Sequence, residues 1–140
     1  MYRIRVKKLF LVVYISISLV VLAGCSDKDL LTENDFKEKI RAGMSMSEVK
    51  QVLGEPEKIE EDNDLAAEQR YKDNESSIDM WDWNYYEGFY GDESRVTDFF
   101  DKLRKEQDLI YYEYIFSNEN KEDNWRIYFI DNEVVWMSFP

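Results

Sequence analysis

Residues 41–56 read RAGMSMSEVKQVLGEP, and this segment predicts a turn followed by a short helix with both ends marked. Ser45 and Glu48 form a capping box, in which each side chain accepts a hydrogen bond from the backbone N–H of the other. Gly54 and then Pro56 stop the helix. Its apolar stripe comprises Met46, Val49, Val52 and Leu53.

A second short helix is predicted immediately before this one. Thr32 can cap it, because Asp35 lies where a reciprocal capping carboxylate belongs. Phe36 and Ile40 share a face at i, i+4 spacing, and Gly43 ends the helix. The sequence therefore predicts two short helices joined by a glycine turn.

Eight residues of this pair carry a family resemblance: Gly43, Met44, Ser45, Glu48, Val49, Leu53, Gly54 and Pro56. They resemble the Gly-Met-Ser…Val…Leu-Gly-x-Pro signature of the BamE (SmpA/OmlA) lipoprotein family. The resemblance implies two N-terminal helices packed on a small antiparallel sheet behind a lipidated cysteine. The best-known members are accessory subunits of the outer-membrane β-barrel assembly machinery.

Residues 55–79 carry ten acidic and three basic side chains with little periodicity, and they are interpreted as a solvated acidic loop. A turn of helix is expected around residues 65–71. A calcium site is a weaker alternative, because no glycine-centred loop with an acid at its twelfth position follows. Its ligands would be Glu60, Glu61, Asp62 and Asp64.

The rest of the chain predicts strands interrupted by a third helix. Alternation over residues 80–86 predicts a first strand that Gly88 and Gly91 end. Residues 92–105 predict a helix, with acids at its start, bases at its end, and apolar positions Val96, Phe99, Phe100 and Leu103.

Three further strands are expected at residues 109–116, 125–130 and 134–139. Residues 118–124 are interpreted as a polar loop, and Asp131 and Asn132 suit a tight turn. The predicted fold class is α+β. Two N-terminal helices pack on an antiparallel sheet of three to four strands, and an extra helix is inserted after the first strand.

The alternation of the last strands predicts an aromatic side chain on each face of the sheet. Because Tyr and Trp are enriched where protein partners dock, one face is a candidate partner surface. Its candidate residues are Trp81, Trp83, Tyr128 and Trp136. The alternative is that the third helix or the acidic loop covers this face, so that all these aromatics belong to the core.

The first 25 residues have the layout of a lipoprotein signal peptide. Four basic residues precede position 9, and residues 9–22 carry no charge. This uncharged run is short for a spanning helix, which needs about 20 apolar residues. Leu22, Ala23, Gly24 and Cys25 resemble the lipobox of bacterial lipoproteins, with cleavage between Gly24 and Cys25. A diacylglyceryl group on Cys25 would give stable anchoring.

The expected organisation is therefore a signal peptide at 1–24, a lipidated cysteine with a short tether at 25–31, and a BamE-like domain at 32–140. Without residues 1–24 the chain keeps 14 basic and 30 acidic residues, a formal charge of −16. Nucleic acid is an improbable partner, because phosphate binding needs a basic face.

The residue types leave little room for catalysis. The chain has no histidine, so Ser-His and Cys-His nucleophile systems and most catalytic zinc sites cannot be built. No phosphate-binding glycine loop or dinucleotide fingerprint occurs. We expect no enzyme activity, no catalytic residue, no metal, no small-molecule substrate and no cofactor beyond the covalent lipid.

The function that these patterns favour is a membrane-anchored, non-catalytic protein-binding or scaffold module of the bacterial cell envelope, engaging another envelope protein. An inhibitor or immunity-type lipoprotein that blocks an enzyme at the cell surface is the alternative. An enzyme acting on cell-wall glycan or lipid comes third, because paired carboxylates could serve it. The expected location is the extracytoplasmic side of the cell membrane, or the outer membrane in a Gram-negative host. The Lys, Glu, Asn, Ile and Tyr richness favours a Gram-positive host.

Overall fold

A computed structural model describes residues 30–76, 83–105, 107–118 and 121–138 of the chain. In these residues the fold is α+β, with helices on both sides of one mixed sheet. The strands are β1 (Leu31–Thr32), β2 (Lys58–Glu60), β3 (Ile110–Asn118), β4 (Lys121–Ile130) and β5 (Glu133–Met137). The helices are α1 (Glu33–Lys39), α2 (Met46–Leu53), α3 (Asn63–Ser76), α4 (Trp83–Tyr90) and α5 (Glu93–Lys105).

Strand β3 organises the sheet, because it pairs on both of its sides. It runs antiparallel to β4, which in turn runs antiparallel to β5. On its other side β3 pairs with two short strands: β1, parallel at Phe116 and Ser117, and β2, antiparallel at residues 111–113. The sheet order is thus β1-β3-β4-β5, with β2 beside β1 on the same edge.

Both predicted capping boxes are present. The Thr32 backbone N–H and hydroxyl donate to Asp35 Oδ2 at 2.7 and 2.8 Å. At the start of α2, Ser45 N–H donates to Glu48 Oε2 at 2.8 Å, and Glu48 N–H donates to Ser45 Oγ at 3.3 Å. Gly54 ends α2 at a φ of 85°, a conformation that favours glycine. The prediction of two short helices is confirmed.

The core on the α1 side of the sheet is aromatic. The Phe36 ring stacks on Trp125 with centroids 4.6 Å apart and planes 6° apart, and it meets Tyr114 and Phe116 edge-on. Phe36, Phe116 and Trp125 have no exposed surface. Such offset and edge contacts add to the burial of large apolar area, so this layer ties α1 to β3 and β4.

The solvated acidic loop predicted at 55–79 is wrong over residues 58–60 and 63–76, whereas the turn of helix expected around residues 65–71 is confirmed as part of a longer helix. Residues 77–79 lie outside the described residues. Residues 58–60 form β2, and α3 occupies residues 63–76. The buried side of α3 carries Ala66 and the acid Asp73, so the sequence of this helix shows no apolar stripe. Partners far along the chain neutralise Asp73, which hydrophobic periodicity alone cannot reveal.

The strand predicted at 80–86 is also wrong where it is described. Residues 80–82 lie outside the described residues, and residues 83–90 form α4, a helix that continues through Gly88. Phe89 and Tyr90 are buried at its end, and the Tyr90 hydroxyl donates to the Val135 carbonyl at 3.3 Å. These tertiary contacts outweigh the weak local preference for a strand.

The polar loop predicted at 118–124 is wrong where it is described, because β3 continues to Asn118 and β4 starts at Lys121, while residues 119–120 lie outside the described residues. Backbone pairing extends the hairpin through residues whose side chains are exposed. The helix predicted after Gly91 is confirmed as α5. The tight turn is confirmed too, with φ of 52° at Asp131 and 63° at Asn132. Among the described residues, no helix has the length and apolarity to cross a membrane.

Candidate functional site

The predicted aromatic partner face is buried where the structure describes it. Tyr128 is 0% exposed and Trp136 is 6% exposed, and their ring centroids lie 5.2 Å apart. The exposed-face interpretation of these two residues is therefore wrong, and the alternative that the acidic segment covers Tyr128 fits, since α3 supplies Asp73 there. Trp81 lies outside the described residues, and Trp83 is the first residue of α4.

An ionic network lies between α3 and the face of the sheet that carries Tyr128. Arg126 Nη1 donates to Asp73 Oδ1 at 2.9 Å, and Arg126 Nε donates to Glu113 Oε2 at 2.7 Å. The Tyr128 hydroxyl donates to Asp73 Oδ2 at 2.7 Å. Side-chain exposure is 8% for Asp73 and 18% for Arg126. The network therefore joins α3, β3 and β4 in surroundings with little water.

Burial and neighbouring charge set the ionisation of this network. Burial opposes the charge of the Arg126 guanidinium, but the carboxylates of Asp73 and Glu113 outweigh burial, so the pKa of Arg126 is raised. Burial, and then the Asp73 carboxylate, raise the pKa of Tyr128. Tyr128 is therefore a neutral donor at ordinary pH. With its carboxylates bound to Arg126, the network serves to hold α3 on the sheet.

Among the accessible concavities of the described residues is a groove of about 230 Å³ at the sheet edge, which we call the edge groove. It lies between the part of β3 that pairs with β1 and the part that pairs with β2. In the described residues, Tyr114 and Ile115 of β3 therefore pair with neither of these two strands. The edge groove is lined by Leu30, Leu31, Leu53, Glu55, Glu57, Tyr114, Ile115 and Glu122.

The edge groove has an apolar floor and an acidic rim. Leu30 is 66% exposed and Ile115 is 39% exposed, so the groove presents aliphatic surface to solvent. The rim carboxylates of Glu55, Glu57 and Glu122 belong to exposed residues. The surface thus combines an apolar contact area with negative charge.

Hydrogen bonds fix one wall of the edge groove. The Tyr114 hydroxyl donates to the Gly54 carbonyl at 3.1 Å, which holds the end of α2 against β3. Burial raises the pKa of Tyr114, so this donor stays protonated. Lys50 pairs with Glu55 at 2.8 Å and lies 5.4 Å from the Tyr112 ring centroid. The wall is therefore preformed in the described structure.

The residues of the helical signature have structural positions here. Gly43 N–H donates to the Val134 carbonyl, and Val134 N–H donates to the Met44 carbonyl, both at 2.8 Å, so the turn lies along β5. Ser45 and Glu48 cap α2, and Val49 is buried. Leu53 lines the edge groove, with Gly54 behind it. Pro56 precedes β2. The signature thus positions α2, whose end forms part of the groove.

The sequence did not single out most of the groove residues. Leu30, Leu31 and Ile115 carry its exposed apolar surface, and Glu57 and Glu122 carry much of its charge. One usable signal in the sequence was Ile115, an aliphatic residue on the same face of β3 as the charged residue Glu113. Another was the Leu30-Leu31 pair directly before a helix cap.

Other sequence candidates find no site in the structure. In residues 30–76, 83–105, 107–118 and 121–138, no group of three or more His, Cys, Asp or Glu side chains is arranged to hold a metal ion. Asp62 instead accepts the N–H groups of Asp64 and Leu65 at the start of α3. Gly24 and Cys25, the predicted cleavage and lipidation positions, lie outside the described residues.

Comparison with known proteins adds no relative: no protein-family model, no curated protein and no solved structure matches the chain significantly. The resemblance of the helical signature to the BamE family therefore stays a prediction.

Proposed function

We propose that this protein is a lipid-anchored lipoprotein of the bacterial cell envelope, and that it acts as a non-catalytic protein-binding or scaffold module through the edge groove. The anchor in this proposal is a diacylglyceryl group on Cys25, the cysteine of the lipobox-like residues 22–25. The module works on the extracytoplasmic side of the membrane. It needs no cofactor besides the lipid.

The observation that carries the proposal is the position of the edge groove relative to that cysteine. Leu30 lines the groove and follows Cys25 by five residues. Because an extended chain spans at most about 3.6 Å per residue, the groove would lie within roughly 20 Å of the lipid. A binding surface this close to the bilayer can contact proteins that protrude from the membrane.

The chemistry of the groove supports binding over catalysis. Its acids, Glu55, Glu57 and Glu122, are exposed. The shielded carboxylates Asp73, Glu60 and Glu113 are each paired with a cation, Glu60 with Lys58 and the other two with Arg126. A general acid usually needs a shifted pKa in a shielded cleft. A rim of exposed acids around an apolar floor instead suits a protein contact.

We also propose that the domain is an elaborated BamE-like fold. The supporting features are α1 and α2, joined by the turn at Gly43, and the closing hairpin β4-β5. Helices α3, α4 and α5 between β2 and β3 are the elaboration. In a Gram-positive host, which has no outer membrane, the fold and the anchor would be shared with the family but the barrel-assembly task would not.

The inhibitor or immunity alternative keeps one observation in its favour. A formal charge of −12 and the acidic rim of the groove would complement an enzyme with a basic surface. Both functions require a protein partner, so the identity of that partner distinguishes them. A captured hydrolase or toxin whose activity falls on binding would establish the alternative.

The proposal is tested by expressing the full chain with a C-terminal tag in bacteria and comparing it with Cys25→Ala. We expect the wild type in the membrane fraction, released by detergent but not by high salt, and Cys25→Ala without lipid. Chemical crosslinking before solubilisation, followed by affinity capture, should recover an envelope protein. Release of the wild type by salt, or capture of no envelope protein, would overturn the proposed function.

A further inference from the structure

We propose that the edge groove binds a short segment of a partner protein in which an apolar side chain lies between basic residues. The inference rests on the proposed function, and it names the chemistry of the partner that the function requires. The apolar side chain would enter the floor of the groove, and the basic residues would pair with its rim.

The floor is suited to an apolar side chain. Leu30, Leu31 and Ile115 contribute it together with the buried Leu53, and Leu30 and Ile115 keep 66% and 39% of their surface exposed. The volume of about 230 Å³ is several times the roughly 30 Å³ that one water molecule occupies. Covering these side chains with an apolar group would remove apolar surface from water, which favours a complex.

The rim selects the charge of the partner. Glu55, Glu57 and Glu122 line the same groove, and the whole chain carries a formal charge of −12. Lys50 is bound to Glu55 at 2.8 Å, which offsets part of the rim charge. Lys or Arg on the partner therefore complements the groove and accelerates association.

The same charges disfavour other occupants. A second copy of this chain would bring another −16 of formal charge once residues 1–24 are removed, and a second acidic rim, to the contact. Anionic lipid headgroups are repelled for the same reason. A basic and apolar protein segment is the occupant that satisfies both the floor and the rim.

The test uses three synthetic peptides of equal length and the full chain solubilised in a zwitterionic detergent. The first peptide alternates Lys with Leu and Val, the second has Glu in place of Lys, and the third has Ser in place of Leu and Val. Binding is measured by titration calorimetry against the protein, with the heat of binding to empty micelles subtracted. Only the first peptide is expected to bind well.

Matched variants separate the groove from general charge. Glu57→Lys with Glu122→Lys reverses two rim charges, and Glu61→Lys with Glu38→Lys makes the same charge change at exposed positions outside the groove. We expect the rim variant to bind the first peptide about tenfold more weakly, since exposed ion pairs contribute up to about 1 kcal/mol each. The control variant should keep the affinity of the wild type within about twofold.

Ile115→Ser tests the floor without changing charge. It should weaken the first peptide severalfold while circular dichroism and the unfolding midpoint show that the protein remains folded. Equal loss of affinity in the rim and control variants, or equal binding of the Lys and Glu peptides, would overturn the inference. Strong binding of the Ser peptide would overturn it too, because the floor would then contribute nothing.

Failure of this inference can be told apart from failure of the proposed function. If the rim variant still captures the envelope protein that the wild type captures, this inference and the assignment of binding to the edge groove are both wrong, and a lipid-anchored binding module that uses another surface remains. If the wild type captures no envelope protein from the membrane, the proposed function itself fails.

Discussion

The two faces of the sheet are held by opposite kinds of interaction. On the aromatic face, Phe36 of α1 packs against Tyr114, Phe116 and Trp125. On the ionic face, Asp73 of α3 pairs with Arg126 and accepts from Tyr128, and Glu113 completes the network. Both faces are closed by a helix.

This difference predicts how well each face of the sheet tolerates the substitution of a single residue. Apolar packing loses stability in proportion to the atoms removed and the cavity left behind. A buried ionic contact behaves differently, because removing one partner leaves the other desolvated and uncompensated. The ionic face should therefore be sensitive to single changes but tolerant of paired apolar replacement.

The largest expected effect is on the aromatic face. Phe36→Ala removes a ring that is 0% exposed and stacked on Trp125, so the free energy of unfolding should fall by about 3–5 kcal/mol. Chemical denaturation followed by tryptophan fluorescence measures it. Glu38→Ala, an exposed position on the same helix, is the control and should change stability by less than about 0.5 kcal/mol. A loss below about 1 kcal/mol for Phe36→Ala would mean that α1 does not close this face.

The next effect is on the ionic face. Asp73→Ala should lower the free energy of unfolding by about 2–4 kcal/mol, because it removes the acceptor of Arg126 Nη1 and of the Tyr128 hydroxyl and leaves Glu113 as the carboxylate that pairs with Arg126. Glu75→Ala, at an exposed position of α3, is the matched control. The double variant Asp73→Leu with Arg126→Met should regain part of the loss. If the double variant is as unstable as the sum of the two single variants, the network is not the coupled unit described here.

The sequence predicts the local features of the fold and misses the contacts between residues that are far apart in the chain. The caps at Thr32 and Ser45 and the amphipathic stripe of α5 are local signals, and they were predicted correctly. Helix α3 was predicted only as a turn around residues 65–71, because Asp73 lies on its buried side and its partner Arg126 is 53 residues away. No local pattern records such a pair. Tyr128 was predicted to face a partner protein for the same reason, because Asp73, the acceptor that buries it, also lies far away in the chain.

The edge groove was beyond prediction for a related reason. It exists because β1 pairs parallel with one end of β3 while β2 pairs antiparallel with the other. Neither strand exceeds three residues, too few for alternation to identify a strand. The usable signals in the sequence were Ile115 and the Leu30-Leu31 pair before the helix cap, and their exposure is known from the structure.

A smaller effect is expected at the turn that connects β4 to β5 and belongs to neither face. Asn132 has a φ of 63°, and its Oδ1 accepts from Met46 N–H at 3.3 Å. Asn132→Ala should cost about 1–2 kcal/mol, because alanine tolerates this backbone region less well and the contact is lost. Thermal unfolding measures the change. An unchanged midpoint would show that the turn conformation is not constrained, and the two faces would then account for the stability without it.

The smallest effect is the pH dependence of the cap above the aromatic face. The side-chain hydrogen bond from Lys39, and then the Thr32 N–H, lower the pKa of Asp35 from 3.8 to about 2. Because the folded-state pKa is depressed, the contribution is present above about pH 4 and is lost as pH falls towards 2. Asp35→Asn should lose about 1 kcal/mol or less at pH 7, since the side chain is partly exposed.

Unfolding of both proteins is followed between pH 7 and pH 2 to check this cap. The stability difference between wild type and Asp35→Asn should shrink as Asp35 becomes protonated. A difference that stays constant over this range would mean that the carboxylate charge of Asp35 contributes nothing to the cap.

The central claim, that a lipid on Cys25 holds the edge groove beside a bilayer, is tested most directly by intact-mass spectrometry of the protein purified from bacterial membranes. We predict a product that begins at Cys25 and carries the mass of a diacylglyceryl group on its sulfur. A product with residues 1–24 still attached, or with a free thiol at Cys25, would contradict the account.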